Sequence, residues 1–141
     1  MLTAASSKKH LLHEIGDLVS GVYGLNTGIV VESLLARENL GPTGVGNGVA
    51  LPHARIEGLD SVAGAFVLLD RPVDFDSVDR QPVDIVFALF APLNAGVEHL
   101  KALALVSRTL REVSIRAKLR SNPDPTTIYA ILSETQNNQA A

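Results

Sequence analysis

Between Lys8 and Gly24 the apolar residues Leu11, Leu12, Ile15, Leu18, Val19 and Val22 recur at helical spacing, with Ser6 or Ser7 placed to cap the first turn. The pattern predicts an amphipathic helix. A second helix is predicted from about Thr27 through Ile29, Val30, Leu34 and Leu35 towards Arg37, ending by Gly41-Pro42, which cannot continue it. The pattern then changes. Val62–Leu69 and Val83–Phe90 are short runs rich in β-branched and aromatic residues and bounded by turn residues, and both read as buried strands. Between them, Arg71–Pro82 has turn chemistry around a short apolar alternation, and its two prolines predict that any pairing there lies at a sheet edge. From Gly96 onward Val97, Leu100, Ala102, Leu103, Ala104, Val106 and Leu110 predict a long helix with His99 in its first turn. Two shorter helices are expected at Ser114–Leu119 and Pro125–Leu132, the latter capped by Asp124. The polar stretch Glu134–Ala141 follows, with residues 136–141 expected to fray.

Helices alternating with strands, without an internal repeat, predict an α/β sandwich: a small mixed sheet covered by helices. At 141 residues with no Pro- or Ser-rich linker inside, the expected organisation is one domain over residues 1–141. Twelve Lys and Arg against fifteen Asp and Glu give a formal charge of −3, which argues against nucleic acid or anionic lipid as a partner. There is no cysteine, so neither a disulfide framework nor a thiolate metal site can form. The N-terminus has no apolar leader-like run, and no stretch approaches the roughly 18–20 apolar residues of a membrane span, so a cytoplasmic location without membrane insertion is expected.

The chemistry concentrates in residues 41–55, GPTGVGNGVALPHAR. Gly44, Gly46 and Gly48 invite a nucleotide reading, but a P-loop needs Lys-Ser/Thr after its last glycine and a dinucleotide fingerprint needs a strand before and a helix after. Here a helix precedes and Val49-Ala50-Leu51 follows. Asn47-Gly48 is instead the favoured pair for a type I′ hairpin turn, and Pro52 stiffens the chain that delivers His53. His53 has two readings. It can be a half-buried imidazole tied to backbone, or a nucleophile inside an anion site made by glycine amides and Arg55, with the other ring nitrogen bonded to a carbonyl. His99 can be an exposed first-turn residue, or an imidazole kept neutral by the helix N-terminus beside a phosphoryl or carboxylate group. His10 and His13 beside Glu14 read as a solvated face more than a metal site. Asp74, Asp76 and Asp79 lack the glycine and distal glutamate of an EF-hand loop and read as turn residues. No Gly-x-Ser-x-Gly elbow is present to anchor a serine-hydrolase triad.

Residues 43–53, TGVGNGVALPH, resemble the phosphorylation-site signature of enzyme IIA domains of the bacterial phosphotransferase system, fructose/mannitol and nitrogen-regulatory type. The resemblance extends to Arg37-Glu38-Asn39, to Pro72–Asp76, to Gln81–Asp84 and to Glu98-His99-Leu100, and it spans about residues 7–135. The glycine-asparagine form of the motif is most similar to the nitrogen-regulatory branch. The resemblance implies that His53 accepts a phosphoryl group at Nε2 from a phosphohistidine on an HPr-like carrier of the NPr type. It further implies that His99 is the neighbouring imidazole, that Arg37 is a phosphate-facing cation, and that no cofactor or metal is required. Gly44, Gly46, Asn47, Gly48, Pro52 and Arg55 would support the phosphate site. Such a protein would be a transferase-type component with a mainly regulatory role, its phosphorylation state controlling binding to target proteins. Two alternatives remain at this point: a IIA component donating phosphate to a fructose/mannitol-type sugar permease, and a non-catalytic binding module. Apolar surface for a docking carrier is expected around His53, with Val45, Val49 and Leu51 as candidates. The resemblance departs at the N-terminus, where family members carry a further strand, of which Leu2-Thr3-Ala4 is the expected remnant.

Overall fold

The computed structural model describes residues 2–3, 5 and 7–121; the helix expected at Pro125–Leu132 and the polar tail lie outside the described residues. Ser7 caps α1 (Lys8–Tyr23), its Oγ accepting from the His10 N–H at 3.1 Å, and Gly24 ends it in the left-handed region with its N–H on the Ser20 carbonyl. Asn26 caps α2 (Thr27–Leu40) in the same way through Ile29 N–H. The two helices cross closely at Gly16, where a Cβ would lie 2.5 Å from Val31 Cγ2.

The strands are β1 (Leu2–Thr3), β2 (Gly44–Gly46), β3 (Val49–Ala50), β4 (His53–Arg55), β5 (Ala63–Val73) and β6 (Val83–Ala91). They form one mixed sheet in the order β1-β5-β6-β3-β2, with β4 also on β6. β5 and β6 are antiparallel, β1 runs parallel to β5, and β3 and β4 run parallel to β6. Val49 faces Ile85, Ala50 faces Val86 and His53 faces Leu89, so β3 and β4 keep one register across Leu51-Pro52. Pro52 lacks a donor but keeps its acceptor, taking the Leu89 N–H at 2.9 Å. The expected strand Val62–Leu69 is longer than its apolar run. It continues through Pro72, whose missing donor falls where the pairing of β5 with β6 shifts register between Leu68 and Val73 and beyond the reach of β1.

Alternation along the strands divides the core in two. Ala50, Ala54, Val67, Leu69, Val86, Ala88 and Phe90 face α1 and α2, packing on Leu11, Leu12, Ile15, Val19, Val30 and Leu34. Val49, Leu51, Leu68 and Ile85 face the other way, towards α3 (Val97–Leu110) and α4 (Val113–Ser121), packing on Val106, Leu110, Ile115 and Leu119. Helices therefore cover both faces, the α/β sandwich expected. Arg116, buried beneath the α3–α4 corner, donates to the Leu110 and Arg111 carbonyls and ends α3.

Candidate functional site

His53 begins β4, just where Pro52 hands the chain from one stretch of β6 to the next, and its side chain is half-buried. Its Nδ1 lies 2.9 Å from the Leu51 carbonyl, and Arg37 Nε lies 3.2 Å from its Nε2. A guanidinium can only donate and a carbonyl can only accept, so the hydrogen-bond pattern assigns the proton to Nδ1 and the lone pair to Nε2. Arg37 comes from the last turn of α2 and is itself held by a bond from Nη1 to the Gly41 carbonyl at 2.9 Å.

His99, in the first turn of α3, is 6% exposed, and its ring centroid is 5.5 Å from that of His53 with the planes tilted by 55°. Its Nδ1 is buried without a hydrogen-bond partner among the described residues. Burial lowers the His99 pKa below the ordinary histidine value, and the neighbouring His53 and Arg55 push it further in the same direction. The sequence predicts a neutral His99 from the helix N-terminus; in the fold desolvation is the main cause, with the nearby His53 and Arg55 adding to it.

Arg37, His53, Arg55 and His99 line one open cavity of about 600 Å³ with Ser33, Ala36, Leu40, Ala54, Leu100 and Leu103. A second hollow of about 330 Å³, lined by Pro42, Thr43, Val45, Leu51, Ala104 and Ser107, shares Arg37, His53 and Leu103 with it. The cavity can thus take an anion beside an imidazole lone pair, between two arginines.

The remaining motif residues stand elsewhere. Gly44, Gly46, Asn47 and Gly48 do not line either hollow; they build the β2–β3 hairpin. Asn47 (φ 60°) and Gly48 (φ 78°) make the left-handed pair that a type I′ turn requires. The backbone of Asn47 is already used, its N–H on Asp79 at 2.9 Å and its carbonyl taken by Arg120 at 3.0 Å. Arg120 also grips Asp84 through two bonds of 2.8 Å, tying α4 to β6 and the hairpin. Asp79, whose carboxylate the Asn47 and Gln81 N–H groups hold below its usual pKa, is a hairpin anchor. Pro52 is buried behind His53. Val45 is exposed as expected, but Val49 and Leu51 belong to the core because strand alternation turns them towards α3; the exposed apolar residues at the cavity are Leu40 and Leu100. His10 Nε2 lies 3.4 Å from Glu14 Oε1 on the outer face of α1, well apart from this site in sequence and element.

Glu38, which the resemblance includes without assigning it a role, is held on every side. It is 9% exposed, lies 2.6 Å from Lys8 Nζ, and accepts from both the N–H and the Oγ–H of Thr43. The signal was present: Val30, Leu34 and Glu38 recur every four residues on the buried stripe of α2, and a charge on such a stripe needs a partner.

His53 thus presents Nε2 to a basic, open cavity on a helix-covered mixed sheet. A family model described as "Phosphoenolpyruvate-dependent sugar phosphotransferase system, EIIA 2" matches residues 1–135, and the chain belongs to that family. It is 48% identical over 128 residues to the nitrogen regulatory protein of Bradyrhizobium diazoefficiens, covering 91% of this chain and 84% of the relative. The nitrogen regulatory protein of Pseudomonas aeruginosa is 42% identical over 134 residues, 94% of this chain and 87% of the relative. The crystal structure of nitrogen regulatory protein IIA-Ntr from Neisseria meningitidis superposes with a TM-score of 0.88 at 39% identity, covering 94% of this chain and 90% of that one. These likenesses make the chain a IIA-type protein of the nitrogen-regulatory kind. Among the described residues, no helix is long and apolar enough to cross a membrane.

Proposed function

We propose that His53 accepts a phosphoryl group at Nε2 from a phosphohistidine on an HPr-like carrier of the NPr type, and that its phosphorylation state controls binding to regulatory target proteins. The observation that carries this reading is the orientation of the ring: Nδ1–H on the Leu51 carbonyl and Nε2 turned to Arg37 in an open cavity. The Nε2 lone pair attacks phosphorus opposite the carrier's P–N bond. A new N–P bond forms, the carrier's P–N bond breaks, and the electron pair of that bond returns to the carrier's imidazole. His53 keeps its Nδ1 proton throughout. Arg37 moves from Nε2 onto the phosphoryl oxygens, and Arg55 and neutral His99 supply a second charge and a hydrogen-bonding nitrogen beside them. The modification adds up to about two negative charges to the mouth of an apolar-rimmed cavity, enough to change which surface docks there. The nitrogen-regulatory names of the relatives favour this reading over donation to a sugar permease.

The test is to incubate the protein with phosphoenolpyruvate, the general phosphotransferase enzyme and an HPr-type carrier and to weigh it intact. One acid-labile phosphoryl group is expected on the wild type and none on His53→Ala; equal labelling of the two would reject the proposal.

A further inference from the structure

Two chains of hydrogen bonds link Glu38 to both halves of the reactive pair. Thr43 spends its N–H and Oγ–H on the Glu38 carboxylate, while its carbonyl accepts the Leu51 N–H at 3.0 Å. Leu51 in turn offers its own carbonyl to His53 Nδ1. On the other branch, the Gly41 N–H bonds the Glu38 carbonyl at 3.2 Å, and the Gly41 carbonyl receives Arg37 Nη1. The corner Gly41–Thr43 therefore closes on Glu38 from both sides, and it carries the acceptor for Arg37 and the acceptor for the strand that bears His53. Lys8 Nζ, 2.6 Å from the carboxylate and 5.0 Å from the Phe75 ring centroid, balances the buried charge.

We infer that Glu38 is a positioning residue for phosphoryl transfer: its carboxylate, through Thr43, holds the Gly41–Thr43 corner that its main-chain carbonyl also grips at Gly41, and so sets the relative placement of the Arg37 guanidinium and His53 Nε2. The inference rests on the proposed acceptor role of His53. A carboxylate is suited to the task because it accepts from two Thr43 donors and an ammonium at once, which an amide cannot do. Small misplacements of reacting groups have large effects on transfer rates, whereas the same shifts barely disturb a packed fold.

The test compares Glu38→Gln and Thr43→Val with the wild type and with Thr43→Ser, measuring phosphorylation rate by a carrier, unfolding midpoint, and the ¹⁵N signals of the His53 ring and Arg37 Nε. Glu38→Gln and Thr43→Val are expected to slow phosphorylation about 10- to 100-fold and to shift the His53 and Arg37 signals, with Thr43→Ser near wild type. In an Arg37→Ala background, where one of the two placed groups is gone, Glu38→Gln should slow transfer by less than about threefold more. Full additivity of the two losses, or slowed transfer with unmoved His53 and Arg37 signals, would overturn the inference and leave Glu38 a structural residue. If Glu38→Gln does not fold, Thr43→Val alone decides through the same readouts. If the wild type takes up no phosphoryl group, the acceptor role itself fails, and the ¹⁵N signals of the unphosphorylated variants still report whether Glu38 places the pair.

Discussion

An imidazole can receive a phosphoryl group only while one nitrogen keeps its lone pair and points it outward, and at His53 the Leu51 carbonyl enforces this. Much of that was legible: Pro52 before His53 implied a stiff delivery, and the nucleophile reading of His53 tied its other ring nitrogen to a carbonyl. The role of Glu38 was not legible, because its buried stripe position calls for a partner but Lys8 and Thr43 come from other elements and only the fold brings them together. His99 gives a pH prediction. Its folded pKa is depressed, so the associated stability is fully present above the ordinary value of 6.5 and is lost as pH falls through the lowered folded value. An NMR titration should place the His99 midpoint below 6.5, and Arg55→Gln should raise it by removing a neighbouring positive charge. A midpoint at or above 6.5 in the wild type would contradict the burial account.

Among the elements, the β2–β3 hairpin does not line the anion cavity, yet it fixes the stretch of chain that leads into His53. Asp79, the Asp84 N–H and Arg120 hold its tip from three different segments. Asn47-Gly48 announced the turn in the sequence; the parallel pairing of β3 and β4 with β6 was not announced, because no local pattern encodes which distant strand a short run will join. Gly48→Ala should be clearly destabilising, by about 1–2 kcal/mol for the left-handed backbone alone, since its Cβ would also lie 2.5 Å from Arg120 Nη2. By contrast, Gly21→Ala, in α1 with nothing within 4 Å of the added Cβ, should stabilise by about 0.5–1 kcal/mol. Chemical denaturation measures both, and a stabilised Gly48→Ala would refute the hairpin account. Arg120→Ala removes a partly exposed two-bond ion pair and should lower stability by about 1 kcal/mol, reduced at high salt.

For the molecule as a whole, the helix-covered sheet sets His53 at an opening bordered by Leu40 and Leu100, which are 85% and 64% exposed. The sandwich was legible from the alternation of helical and strand patterns, but the docking rim was not: strand parity decides that Val49 and Leu51 point inward, and parity is fixed only once pairing is known. Leu40→Asp and Leu100→Asp should raise the KM for a phosphorylated carrier several-fold, on the order of 1 kcal/mol of lost docking each, with the unfolding midpoint nearly unchanged. Unchanged KM in both would move the docking surface elsewhere. Phosphoryl transfer as proposed ends on a single atom, and ¹⁵N–³¹P NMR of the phosphorylated protein reads it directly. Phosphorus bonded to His53 Nε2 is expected, with the proton retained on Nδ1 before and after transfer; phosphorus on Nδ1, on His99 or on any other residue would rule out the proposed acceptor atom.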